Sequence, residues 1–344
     1  MEKKLTARAI GLTLTGAVIG AGFASGQEIR HFFVRYGEFA GYSAIMSIVF
    51  FVGFCGWLTT YCQRRRVNSL AHLLALMGGK RLGAFFLHLL NLFMWFGLTV
   101  MLAGSATLLA QLWHWPRLVG AVLTALVVYF VSHKQVTGLT VANELLLPML
   151  LFLVLFFLLR STSVPAQGLL LATKEKGWLW SALLYLGSNS AILLATIPAL
   201  MVETANPRVS WQGVLLAAGL LLCLLLTNIF LLKKYAALCA EVDLPLLPIA
   251  QHLLPQLPWV YGLVLFIALI TTAFANALSL NQYFEQVLPH SANRALLVAV
   301  FAATYVAQQG FGRLVAVLYP LTGYLCLAFY IISGCRWLIS FDSR

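Results

Sequence analysis

The chain has 344 residues, 61% of them hydrophobic and only 9% charged, with a formal net charge of +12 and a mean hydropathy of +0.91. A soluble domain carries roughly 25% charged residues, so a water-facing surface cannot be covered and a soluble globular fold is excluded. The excess of Lys and Arg reads as the basic loops of a multi-pass membrane protein; no aromatic–basic interleaving or zinc-ligand spacing points to nucleic acid.

In chain order, MEKK runs into apolar sequence with no small-residue cleavage site after a compact apolar core, so the first segment is read as a retained span. Apolar runs then predict an all-α chain of about ten transmembrane helices, at about residues 7–34, 37–61, 84–112, 117–133, 137–160, 178–202, 211–232, 258–286, 292–309 and 314–338. This even number puts both termini on one face. Lys3, Lys4, Arg8, Arg64, Arg65, Arg66, Lys80, Arg81, Lys134, Arg208, Arg294, Arg336 and Arg344 share that face. The positive-inside bias, strongest at the early RRR of residues 64–66, predicts a cytoplasmic-membrane protein with both termini in the cytoplasm.

Two connections are too long for simple turns. NSLAHLLALMGG follows span 2 and DLPLLPIAQHLLPQL follows span 7, and both read as amphipathic segments at the membrane interface. Their matching places on opposite faces predict a single transmembrane domain of two inverted halves, about 7–160 and about 178–338. The six cysteines lie in or beside apolar runs and none forms CxxC, so they read as small buried hydrophobes.

Residues 16–28, GAVIGAGFASGQE, place four glycines and an acid within span 1. One reading is close helix packing, since the 16/20 and 22/26 spacings each match GxxxG. The other is a broken helix at Gly20-Ala21-Gly22, tolerated at membrane depth only against protein or a water-filled cavity. Span 6 carries a comparable interruption, Tyr185 to Ser190 (YLGSNS). Paired interruptions in the two halves point to a solute site, where freed amides meet an anion and freed carbonyls a cation.

The stretch GAVIGAGFASGQE resembles the signature of the YkvI-like membrane proteins, within the amino acid–polyamine–cation superfamily. That resemblance implies a LeuT-type fold of two five-helix inverted repeats with helices 1 and 6 broken at mid-membrane, and it implies transport without naming a cargo. The candidate solute site is then Gly20, Ala21, Gly22, Phe23, Ser25, Gln27 and Glu28 of span 1, Asn91 of span 3, and Tyr185, Gly187, Ser188 and Asn189 of span 6. The sodium-dependent members of the wider fold imply a cation site at the backbone of Gly16, Ile19 and Ala268 and the hydroxyls of Thr271 and Thr272. These neutral oxygens suit a hard monovalent ion. Threonines bonded to their own helix carbonyls are the alternative, and no other cofactor is expected.

Glu28 is the most consequential acid, because an intramembrane carboxyl is costly unless it serves a pathway. It is a candidate to hold a substrate ammonium or a coupling proton; a structural role near the outer end of span 1 is the alternative. Asn91 and Asn189 are candidates to face the cavity, with interhelical hydrogen bonds as the alternative. Asn276, four residues after Thr272, shares its face of span 8. The leading reading is a secondary transporter of a small solute, such as an amino acid or related amine, in the lipid bilayer. A non-transporting receptor on the same fold is the alternative. Enzyme chemistry lacks HExxH, GxSxG or paired mid-span aspartates.

Overall fold

Thr6 starts the first helix, its hydroxyl accepting the Ala9 N–H at 3.2 Å, and α1 runs over Ala7–Val18. A computed structural model describes residues 6–132, 138–168, 176–202, 204 and 206–342, with side chains for all of these except 138–146, 258 and 337–342. Lys3, Lys4, Lys134 and Arg344 of the charge bias lie outside the described residues.

After α1 the chain leaves helical geometry at Ile19 (φ −82°, ψ 87°) and Gly20 (φ −96°, ψ −174°). The break therefore falls one residue earlier than expected, and Ala21 and Gly22 already belong to α2 (Ala21–Ser25). A second joint follows at Gly26, where φ is 79° and α3 (Gln27–Phe32) begins. That left-handed backbone favours glycine, which pays no Cβ penalty there. A 3-10 turn over Val34–Phe39 leads into α4 (Ala40–Arg65). The first long connection is helical and continuous with the third span: α5 runs over Leu70–Trp113 but turns at Gly79 (φ 72°).

There follow α6 (Arg117–Ser132), α7 (Gly138–Ser161), α8 (Trp178–Val202) and α9 (Pro207–Lys234). The second long connection holds the short α10 (Ala236–Cys239) and α11 (Leu246–Leu253). The chain closes with α12 (Pro258–Val287), α13 (Ala292–Ala307) and α14 (Phe311–Asp342). No strand occurs among the described residues. Among the described residues, six helices are long and apolar enough to cross a membrane, accompanied by shorter apolar helices that include α1, α6 and α13.

The expected break in span 6 is absent: α8 is a continuous helix from Trp178 to Val202. The residues that suggested unwinding do other work. Ser188 and Asn189 donate to the Tyr185 carbonyl, both at 2.9 Å, and Ser190 donates to Gly187 O at 2.6 Å. These polar side chains thus bond their own helix. Gly187 serves close packing: a Cβ there would sit 2.8 Å from Gly323 O of α14, and one on Gly323 would sit 2.7 Å from Leu184 O. Two backbones in such contact leave room only for glycine.

The helices pack in two groups. α1, α4, α8 and α9 pack on one another, as do α5, α6, α12 and α13, while α14 touches both α8 and α5. Within the first group, Gly213 seats Ile10 and Gly56 seats Trp211, each too close for a Cβ.

Candidate functional site

A cavity of about 120 Å³ lies on the seam between the two groups. It is lined by Ala17, Val18, Gly20, Ala21 and Glu28 from the broken helix and by Ser188 and Asn189 from α8. Phe93, Phe96 and Gly97 of α5, Thr272 and Asn276 of α12, and Tyr319 and Thr322 of α14 complete most of the wall. Residues 188–189 and 272–276 fall near the middles of α8 and α12, so the cavity sits at mid-span.

The break opens the backbone toward this space. Gly20 N–H bonds Val18 O at 3.0 Å instead of reaching back to Gly16. The Gly16 carbonyl thereby loses its usual i+4 donor. A Cβ on Gly20 would meet nothing within 4 Å, because the position faces the cavity. On the other side of the break, the first N–H groups of α2 have no intrahelical partner.

Glu28 is only 3% exposed. Its carboxyl is placed by Gly22: a Cβ there would lie 2.8 Å from Glu28 Oε2 and 2.9 Å from the Tyr319 hydroxyl. The absence of a side chain at Gly22 is what lets these two oxygens converge over α2. Asn189 lines the same cavity as Glu28, its side-chain amide donating to Tyr185 O at 2.9 Å. On α12, Asn276 lies against Gly97, whose Cβ would fall 2.6 Å from Asn276 Nδ2. Among the described residues lining the cavity, Glu28 is the charged one, and no Lys, Arg or His is present.

Joint positions are pinned from outside the cavity. The Tyr261 hydroxyl donates to Ala24 O, Ser25 donates to Gly22 O at 2.8 Å and accepts the Gln27 N–H at 3.2 Å. Gln27 donates to Gly312 O of α14 at 3.4 Å, and Arg30 donates to Cys239 O at 2.6 Å. Ser181 of α8 donates to Phe32 O at 2.7 Å.

The expected solute residues divide accordingly. Gly20, Ala21, Glu28, Ser188 and Asn189 meet at the cavity, and Gly22 stands directly behind Glu28. Phe23, Ser25 and Gln27 are buried in the support of the joints. Tyr185 packs against Phe32 and Phe33 with centroids 5.5 and 4.9 Å away, and Gly187 faces α14. Asn91 is spent on its own helix, donating to Leu87 O at 2.9 Å. Tyr319, Thr322 and the α5 aromatics enter the site without having been expected; Tyr319 beside Pro320 in an otherwise apolar span was the available signal.

Of the expected cation ligands, Thr272 lines the cavity. Thr271 is buried and donates to Ala268 O at 3.2 Å. That bond consumes the hydroxyl proton and leaves lone pairs on both oxygens. Thr271 thus makes the own-helix bond named above as the alternative to a cation site, and Gly16, Ile19, Ala268 and Thr271 are not among the described residues lining the cavity.

The fold is that of a polytopic all-α membrane protein of the LeuT type. The structure of the inward-facing conformation of Mhp1 matches 95% of this chain and 75% of its own with a TM-score of 0.69 at 13% identity. A mutant of the Eremococcus coleocola manganese transporter matches 95% of this chain and 78% of its own at 0.54 and 12% identity. In sequence this chain is similar to the uncharacterized membrane protein YkvI of Bacillus subtilis (strain 168), 25% identical over 345 residues and covering 97% of each chain. It is 23% identical over 339 residues to the uncharacterized protein YyaD of the same organism, covering 95% of this chain and 97% of that one. No family model matches.

Proposed function

We propose that the protein is a secondary transporter that carries a small amine-bearing solute, an amino acid or a simple amine, across the cytoplasmic membrane by alternating access. The observation that carries this reading is the buried Glu28 in a mid-span cavity with no basic side chain among its described lining residues. A carboxylate withdrawn from water requires a cation or a proton as partner. A substrate ammonium bound between Glu28, the Tyr319 hydroxyl and the Asn189 amide oxygen meets that requirement. A substrate carboxylate would turn toward the free amides at the start of α2.

The seam position supports the transport step. α1, α4, α8 and α9 form one packed body and α5, α6, α12 and α13 the other, so tilting one against the other opens the cavity to alternate faces. The halves of about 7–160 and about 178–338 would be the inverted repeats that make both tilts available, with both termini in the cytoplasm. Sodium at Gly16, Ile19, Ala268, Thr271 and Thr272 is the proposed coupling ion: when bound, it would supply positive charge that ties the helix break to α12. A proton on Glu28 is the competing coupling.

Thermal unfolding in detergent, in sodium and in potassium, across a panel of amino acids and amines, tests this reading. A ligand at about 100 times its dissociation constant adds roughly 2.7 kcal/mol. An amine-specific shift is expected. No shift with any amine would overturn the cargo class. Uptake of the radiolabelled hit into sealed proteoliposomes separates a transporter from a receptor that binds without turnover.

A further inference from the structure

A second, larger cavity of about 620 Å³ lies away from the seam, between the end of α4, the early turns of α5 and the later turns of α14. Its wall is aromatic. Trp57 and Tyr61 stack at 5.5 Å with an interplanar angle of 29°, and Phe54 meets Tyr330 at 5.3 Å. Leu76 and Met77 of α5 continue the apolar surface.

The cavity is also charged on one side only. Arg64 and Arg65 line it, and both are exposed. No acidic side chain is among its described lining residues. Ser333 lines it as well; this residue is 5% exposed, and its hydroxyl has no hydrogen-bond partner within the chain. A buried hydroxyl without a partner carries a desolvation cost that a ligand can relieve.

Neighbouring contacts hold the wall in place. Arg336 of α14 donates to Gly78 O at 2.8 Å, tying α14 to the bend in α5. A Cβ on Gly79 would fall 2.7 Å from the Arg336 guanidinium. On the open side, a Cβ on Gly334 would meet nothing within 4 Å.

We propose that this cavity binds an anionic glycerophospholipid. Its phosphate sits on the Arg64 and Arg65 guanidiniums, whose planar forks match phosphate oxygens. Ser333 supplies a hydroxyl donor, and an acyl chain lies against Trp57 and Tyr61. Three features select this occupant over others. The apolar wall belongs to a membrane-embedded helix end, where acyl chains are the available apolar partner. The basic residues stand at that same end, where anionic headgroups lie. A zwitterionic lipid carries a headgroup cation that two arginines with no acid among the described lining residues disfavour. On the positive-inside reading, the lipid comes from the inner leaflet. The site is independent of the solute cavity, so it stands or falls separately from the transport reading.

Native mass spectrometry of the purified full chain tests it, with phosphatidylglycerol and phosphatidylcholine of matched chains supplied together. Phosphatidylglycerol is expected to remain bound preferentially. Arg64→Ala plus Arg65→Ala should reduce that preference by roughly 30-fold, since each arginine near anionic headgroups contributes about a factor of five. Gly334→Phe, which projects a ring into the open space without touching charge, should lower binding of both lipids. Excess inorganic phosphate should leave the lipid bound. All three positions are exposed, so gel filtration should show a monodisperse protein in each case. Equal retention of the two lipids, or an unchanged preference in the arginine variant, would overturn the proposal. Displacement by inorganic phosphate would overturn it in favour of a soluble-anion site.

Discussion

Gly22→Ala separates the geometry of this site from a generic helix break. The added methyl would stand 2.8 Å from Glu28 Oε2 and 2.9 Å from the Tyr319 hydroxyl, about 0.5 Å inside ordinary contact, which begins at 3.4 Å. Both neighbours are side-chain tips, so they yield by rotating away, at the roughly 1–3 kcal/mol typical of overpacking. Alanine returns about 1 kcal/mol of helix preference over glycine. The net loss of stability is therefore small, about 0–2 kcal/mol. The carboxyl and hydroxyl are nonetheless displaced from their shared position, and amine affinity should fall by about 5- to 140-fold. Gly219→Ala is the control: a helical glycine of α9 outside the cavity lining, whose Cβ meets nothing within 4 Å. Calorimetric titration of the stabilising amine, beside thermal unfolding without ligand, reads both quantities. If Gly22→Ala binds the amine within twofold of the parent, Glu28 and Tyr319 do not form the binding pair.

Further expectations follow from neighbouring positions. Glu28→Gln keeps size and removes charge, so it should weaken an ammonium ligand by about 2–5 kcal/mol; retention of amine-induced stabilisation would show that the ammonium binds elsewhere. Gly26→Ala combines a φ of 79° with a Cβ 2.6 Å from Leu246 Cγ, and should lower thermal stability well below that of Gly219→Ala. Thr271→Ala plus Thr272→Ala should abolish any dependence of solute binding on sodium while leaving Glu28 in place; unchanged sodium dependence would exclude that ligand set. Gly187→Ala presses on the Gly323 carbonyl at 2.8 Å, a backbone atom that cannot rotate away, so unfolding in detergent should reveal a larger loss than at Gly22.

The spans were legible because hydrocarbon imposes a length and a composition, and residues 178–202 were bounded from those alone. Glu28 was legible because an acid inside such a run is rare for energetic reasons. Asn276 was found through its four-residue offset from Thr272, which a helix turns into a shared face. The misread positions have a common cause. Glycine and small polar residues serve both an unwound helix and a tightly packed one, and Gly187 was settled only by Gly323 lying across from it. Gly26 was hidden for the same reason, its φ being fixed by the tie of α3 to α10 and α14. Tyr319 reaches Glu28 across nearly 300 residues of chain, a proximity that local pattern does not encode.

The uninterrupted α8 makes the two sides of the solute cavity chemically unlike. The α1–α2 side offers main-chain amides and carbonyls, which substitution cannot exchange for other groups. The α8 side offers Ser188 and Asn189, and α12 and α14 add Asn276 and Thr322, all replaceable without disturbing a joint. On the proposed transport reading, substitutions that change cargo preference are then expected on that wall alone, while the main-chain wall reads whatever feature all cargoes share.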